Sequence, residues 1–222
     1  MRVNRRVCPD HYRLGLVLPE FPPSRPGQFV HILCGTDRPL PGARPADWPE
    51  GRAPRLTQPE LAGRRQLPDG SVELDILQRV VGVGTAYLAE LPVGAEVSLL
   101  GPLGRSFAFE NAPATAALIG GGAGIPPMIY LADCLRQAGR EVVAFAGART
   151  RSVLPLTIDM GEPPSQAGWP TLCAAEFAAH GVPTALATDD GSLGFGGLVS
   201  EAFVRWAERR GTPSVPPQAE GN

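Results

Sequence analysis

The chain has 222 residues, 43% hydrophobic and 19% charged, with a formal net charge of −2. That length allows one large or two small domains with a real core, and the charge balance offers no basic footprint for nucleic acid or an anionic membrane surface. No apolar run approaches the roughly 18 residues that span a bilayer, and the basic start at residues 1–6 leads into no secretion-type apolar segment, so a cytoplasmic location is expected.

With Gly 27 and Pro 25, many turns and short elements are expected. Tyr12-Arg-Leu-Gly-Leu-Val-Leu18 and Pro26-Gly-Gln-Phe-Val-His-Ile-Leu33 read as strands. Residues 35–65 are rich in Pro, Arg and Gly without periodicity, and read as one long loop, which in a compact domain is functional or disordered. Asp69-Gly70 is a hairpin signal, and Ser71-Val-Glu-Leu-Asp-Ile-Leu-Gln-Arg-Val-Val81 alternates apolar and polar residues as a half-buried strand does. A further strand is expected at residues 95–100, and Gly101-Pro-Leu-Gly104 reads as a turn leaving it. These short strands predict a small antiparallel β-barrel or sandwich.

Near Glu110 the pattern changes. Strands at 116–119, 141–146 and 184–187 alternate with helices near 128–138, 173–180 and 198–209, which predicts a parallel sheet with helices on its faces. The expected division is a β-barrel over 1–108 and an α/β domain over 109–222, with the junction at 107–113 and a disordered Pro-rich tail from Thr212.

Chemistry concentrates in glycine-rich turns. In Leu118-Ile-Gly-Gly-Gly-Ala-Gly-Ile-Pro-Pro-Met128 an apolar strand ends in Gly120, Gly121 and Gly122, then Gly124. A strand, glycine turn and helix present N–H groups and a positive helix end to a phosphate, although a tight turn without ligand explains a lone glycine cluster equally well. Pro126 and Pro127 fit only a first helical turn and do not match the Rossmann G-x-G-x-x-G spacing. They point to reductases in which a nicotinamide nucleotide meets a flavin. In Gly82-Val-Gly-Thr85, Gly84 and the Thr85 hydroxyl could receive an anion beside Arg79, or form a plain turn. In Thr188-Asp-Asp-Gly-Ser192, Asp189 and Asp190 could take ribose hydroxyls or close an Asx-turn. Arg149 reads as a solvated loop residue. Cys8, Cys34, Cys134 and Cys173 lack C-x-x-C spacing, so no metal site is read from them and all four are taken as structural.

The layout and five stretches together resemble the ferredoxin–NADP reductase superfamily, and within it the electron-transfer subunits of type B dihydroorotate dehydrogenase. The stretches are Pro26-Gly-Gln-Phe-Val30, Arg79-Val-Val-Gly-Val-Gly-Thr85, Gly101-Pro-Leu-Gly104, Gly120-Gly-Gly-Ala-Gly-Ile-Pro-Pro127 and Thr188-Asp-Asp-Gly-Ser-Leu-Gly194. The resemblance implies FAD held by Leu77, Gln78, Arg79, Gly84 and Thr85. It implies NAD(P) at Gly120, Gly121, Gly122, Gly124, Asp189 and Asp190, and no catalytic side chain. It further implies a [2Fe–2S] centre and a catalytic dihydroorotate dehydrogenase subunit as partner, in a heterotetramer, with electrons passing between FAD and NAD(H) as dihydroorotate becomes orotate.

The sequence departs from that pattern twice. The family's Arg-x-x-Ser grip on the FAD phosphate should lie between Val30 and Ser71, where Pro54-Arg-Leu-Thr-Gln-Pro-Glu-Leu-Ala-Gly63 stands, so weak FAD binding is expected unless Arg55, Arg64 or Arg65 substitutes. The cysteine cluster that would hold the iron–sulfur centre has no counterpart before Asn222, which suggests a truncated or divergent member. The alternatives are another NAD(P)H-dependent flavin reductase subunit, of ferredoxin or sulfide oxidoreductase type, and a degenerate non-redox partner subunit.

Overall fold

The computed structural model describes residues 1–34 and 55–210. Most of the proline-rich interval and the tail from Thr212 lie outside the described residues. The first half contains β1 (Val3–Cys8), β2 (His11–Leu18), β3 (Phe29–Cys34), β4 (Arg55–Thr57), β5 (Leu61–Gln66), β6 (Val72–Arg79), α1 (Val83–Glu90) and β7 (Leu99–Leu103). The strands form two antiparallel sheets, in the orders β1-β2-β6-β5 and β4-β3-β7. Period-two patterning sends Leu14, Leu16, Val30, Ile32, Leu74 and Ile76 into one shared core. Two hydrogen bonds stitch the sheets into a barrel: Val30 N–H to the Pro59 carbonyl and Leu61 N–H to that of Gln28, both 3.2 Å. Gly70, at φ +88, turns the hairpin from β5 into β6.

Four expectations are corrected here. The interval read as one loop contains β4 and β5, which pair with β3 and β6 despite lacking clear alternation. The strand expected at 95–100 is displaced to Leu99–Leu103, because β3 pairs with that stretch; Gly101-Pro-Leu103 is therefore strand, and the turn begins at Gly104, φ +80. Residues 82–85, read as a glycine turn, instead open helix α1, which is held by burial of Tyr87 and Leu88 rather than by helix propensity.

The second half contains β8 (Thr115–Gly121), α2 (Ile125–Gln137), β9 (Glu141–Ala148), α3 (Ala175–Ala178), β10 (Thr184–Thr188), β11 (Phe195–Gly196) and α4 (Val199–Arg210). The fourth correction is α3, a single turn where a longer helix was expected. Parallel pairing gives the order β11-β10-β9-β8, and no strand is shared with the antiparallel sheets. Because β9 is covered on both faces, it is apolar from Val142 to its end rather than alternating. Val142, Ala144 and Ala146 pack with α2, while Val143 and Phe145 face Phe203 and Trp206 of α4. No helix among the described residues is long and apolar enough to cross a membrane.

The halves meet through α2. Its Tyr130 leaves the sheet side and joins the barrel core, donating its hydroxyl to the Ser24 carbonyl at 2.7 Å. Cys134, one turn on, packs beside it, and burial pushes that thiol up to about 11, consistent with an inert packing role. All four cysteines are free.

Candidate functional site

A cleft of about 1070 Å³ runs between barrel and parallel sheet. Its second wall consists of the carboxyl ends of the parallel strands: Gly121 at the end of β8 and Gly122 just after it, Ala148 and Arg149 at β9, Asp189 after β10. This is where open α/β sheets place ligands. The facing wall brings in Leu77, Gln78 and Arg79 from the end of β6, with Gly84 and Thr85 at the start of α1. Of the residues singled out from sequence, Gly120, Gly124 and Asp190 do not line the cleft.

The glycines have separable reasons. Gly122 sits at φ +52, in the left-handed region where glycine is favoured, and makes a 3-10 turn with Ala123 and Gly124. A Cβ on Gly120 would stand 2.8 Å from the Gly124 carbonyl oxygen, so that position is fixed by the turn's own packing. Gly121 has ordinary backbone angles, and a Cβ there would come no closer than 3.6 Å to the Gly147 carbonyl oxygen. Beyond the turn, α2 runs 13 residues; Pro126 and Pro127 in its first turn carry no N–H and the Ile125 N–H already donates to the Gly122 carbonyl, so the helix offers the cleft end its dipole rather than free N–H groups. Gly84 is required for another reason: a Cβ would stand 2.4 Å from Thr57 Cγ2 of β4.

Thr85 is occupied locally. Its Oγ accepts the N–H groups of Val81 (3.0 Å) and Gly82 (3.1 Å) and donates to the Gly82 carbonyl at 3.0 Å. The loop is thereby preset, and Gln78 ties it to β6 by donating Nε2 to the Thr85 carbonyl at 3.3 Å. The Asp pair divides in the same manner. Asp190 accepts both the Ser192 N–H (3.0 Å) and Oγ–H (2.6 Å), an Asx-turn that holds its carboxyl below the usual range. Asp189, with no such side-chain hydrogen bond among the described residues, lines the cleft.

Sequence reasoning missed several lining groups. Gln58 and Glu60 occupy the barrel wall where an arginine and serine were sought. Glu60 is exposed along the cleft, yet the protein mass behind it pushes its carboxyl above the usual range by desolvation. His11 lines the floor, and no sequence pattern marked it. Arg149, read as solvated, lines the cleft opposite. Of the candidate substitute cations, Arg64 donates to the Phe21 carbonyl and Arg65 pairs with Glu73, while the Arg55 side chain lies outside the described residues.

No protein-family model matches the chain. It is 31% identical over 207 residues to the dihydroorotate dehydrogenase B (NAD(+)) electron transfer subunit of Desulforamulus reducens, covering 93% of this chain and 66% of that protein. It is 36% identical over 182 residues to the protein of the same name in Geobacillus thermodenitrificans, covering 81% of this chain and 58% of that one. The chain thus spans between 58% and 66% of the length of these relatives. Among solved structures, an NADH-dependent reduced ferredoxin-NADP oxidoreductase aligns with a TM-score of 0.66 at 23% identity, over 92% of this chain and 61% of that one. The FAD/NAD binding domain of a Vibrio cholerae nitric oxide dioxygenase aligns with a TM-score of 0.60 at 17% identity, over 96% and 92%. At those identities the likeness establishes the fold.

Proposed function

Since the chain belongs to the family of dihydroorotate dehydrogenase B electron-transfer subunits, we propose that its cleft brings NAD(H) and a flavin together, passing electrons in support of dihydroorotate oxidation to orotate by a catalytic partner subunit. One observation carries this reading: a single cleft collects the β6–α1 wall and the carboxyl ends of β8, β9 and β10. We take the barrel to end and the α/β half to begin near residues 107–113, outside any helix or strand, and expect limited proteolysis to cut there.

The residues fit a nicotinamide nucleotide. Gly121 and Gly122 leave backbone open at the head of α2 for a pyrophosphate, Asp189 offers acceptors to ribose hydroxyls, and Arg149 offers a cation. They fit a flavin nucleotide with weaker electrostatics: Arg79 supplies one cation, while the Val81 and Gly82 N–H groups are already taken and Glu60 adds negative charge nearby. A bound flavin supplies the exchange between two-electron hydride chemistry and one-electron transfer. The chain's own part is to hold the two nucleotides in one cleft and to exclude water from between them. An iron–sulfur centre does not fit: the cysteines are spread over β1, β3, α2 and the approach to α3, and no group of three or more His, Cys, Asp or Glu among the described residues is arranged to hold a metal.

Glu60 and Gln58 at the flavin end favour a second reading, a partner subunit without redox activity. The deciding experiment adds NADH anaerobically to protein loaded with FAD. Bleaching of the flavin absorption supports electron transfer, whereas an unchanged spectrum with both nucleotides bound favours the second reading.

A further inference from the structure

His11 opens β2 after a tight two-residue turn, Pro9 and Asp10, in which Asp10 adopts φ +59. The turn is braced by the Val80 N–H donating to the Asp10 carbonyl at 2.7 Å. The His11 ring is then pinned, because Nδ1 lies 2.8 Å from the Pro9 carbonyl oxygen. A carbonyl can only accept, so Nδ1 carries the proton and neutral His11 has its lone pair on Nε2. The residue is 5% exposed, and what remains of its surface lines the cleft. Among the described residues Nε2 has no hydrogen-bond partner, and it is not sealed in the core. A pinned ring with one free acceptor at a cavity wall is the arrangement that second-side hydrogen bonds give to ligand-binding histidines.

Across the sheet, His11 pairs in register with Arg79 of β6, which lines the same cleft. Paired residues of antiparallel strands share a face at about 5 Å separation. The floor therefore presents an acceptor and a fixed cation side by side, matching a hydroxyl and a phosphate oxygen a few bonds apart, as in a sugar phosphate.

Resting on the nucleotide reading of the cleft, we propose that His11 is a further specificity-determining residue, whose Nε2 accepts a sugar hydroxyl of the nucleotide while Arg79 meets its phosphate. The hydroxyl belongs either to the ribityl chain of a flavin or to an adenosine ribose.

The test titrates wild type and His11→Leu with two ligand pairs, riboflavin against lumiflavin and ADP against its 2′,3′-dideoxy counterpart, with thermal melts of both proteins. The second member of each pair keeps the ring and loses the hydroxyls. Removing one neutral hydrogen bond should weaken a hydroxyl-bearing ligand by about threefold to tenfold and leave its partner unchanged. Loss confined to riboflavin assigns the ribityl chain, and loss confined to ADP assigns the ribose. If His11→Leu does not fold, His11→Asn replaces it, since its short amide can still donate to the Pro9 carbonyl but does not reach as far as Nε2. Equal affinities in a folded variant, or equal losses with and without hydroxyls, overturn the role of His11. A wild type that binds none of the four ligands overturns the nucleotide reading itself and the proposal with it.

Discussion

Arg13 of β2 and Glu176 of α3 meet across the seam between the two halves, with Arg13 Nη1 3.6 Å from Glu176 Oε1. Both partners are preset from behind. Asp75 holds Arg13 through Nε at 2.8 Å and Nη2 at 2.6 Å, and Thr157 donates its N–H and its hydroxyl to Glu176, both at 2.9 Å. Arg13 stands two residues from His11 on the same face of β2, so the seam runs beside the cleft floor.

Removing Glu176 leaves Thr157 and one edge of Arg13 without acceptors in a buried place. Glu176→Ala should cost on the order of 2–4 kcal/mol, and Glu176→Gln, which keeps an acceptor for Thr157, about half of that. Thermal or denaturant unfolding of the three proteins checks this, and a Glu176→Ala protein as stable as wild type would show that the seam pair contributes nothing.

Local chemistry made much of this architecture readable. Period-two burial in β6, the Asp69-Gly70 hairpin and the apolar runs of β8, β9 and β10 each follow from neighbours a few residues apart. Helix α1 escaped because Val83, Gly84 and Thr85 are poor helix formers, and only the barrel core holding Tyr87 and Leu88 makes the segment helical. β4 escaped because it exists through pairing with β3, on the other side of the proline-rich interval, and β5 escaped because its residues do not alternate, although the hairpin joins it to β6. At the cleft, the glycine turns announced themselves, whereas His11 and Glu60 gain their positions only when β2 and the β4–β5 link fold onto the same wall. Arg13 and Glu176, 163 positions apart, carry no local signal at all.

The nicotinamide turn can be tested without confusing ligand loss with strain. Gly122→Val meets an unfavourable φ and should destabilise by about 1–3 kcal/mol whatever it does to binding. Gly121→Val meets no such strain, and its side chain enters the space the phosphate needs. We expect it to melt near wild type with NADH affinity down at least about tenfold, roughly 1.4 kcal/mol. Unchanged affinity in that variant would remove the phosphate from this turn.

The two neighbouring aspartates should separate cleanly. Asp189→Ala should weaken NADH binding with little change in melting, because Asp189 lines the cleft and braces no turn among the described residues. Asp190→Ala should lower the melting temperature by opening the turn to Ser192, with a smaller effect on affinity. Asp190 is held below its usual range, so its contribution is present at neutral pH and fades as the solution is acidified through that lowered value. Melts and NADH titrations of both variants decide it, and reversed roles would mean that Asp190 is the ligand contact.

FAD should dissociate from the purified protein on dialysis, because the cleft's flavin end offers Arg79 against the Glu60 carboxylate. Desolvation by the protein behind it raises the Glu60 carboxyl from its ordinary 4.5, so it holds its proton to a higher pH when folded than when unfolded. The stability linked to that proton is therefore complete below about 4.5 and lost as pH rises through the raised value. Binding follows the same window. Above it the carboxylate opposes an anionic ligand, and below it the neutral acid does not. FAD affinity should thus rise on acidification in wild type, while Glu60→Gln should bind more tightly at neutral pH and show a flatter profile. Equilibrium dialysis of both proteins with FAD across that range measures it. Tight FAD retention by wild type at neutral pH, unaffected by Glu60→Gln, would mean that Arg79 and the α1 turn suffice to hold the pyrophosphate and that Glu60 stands clear of it.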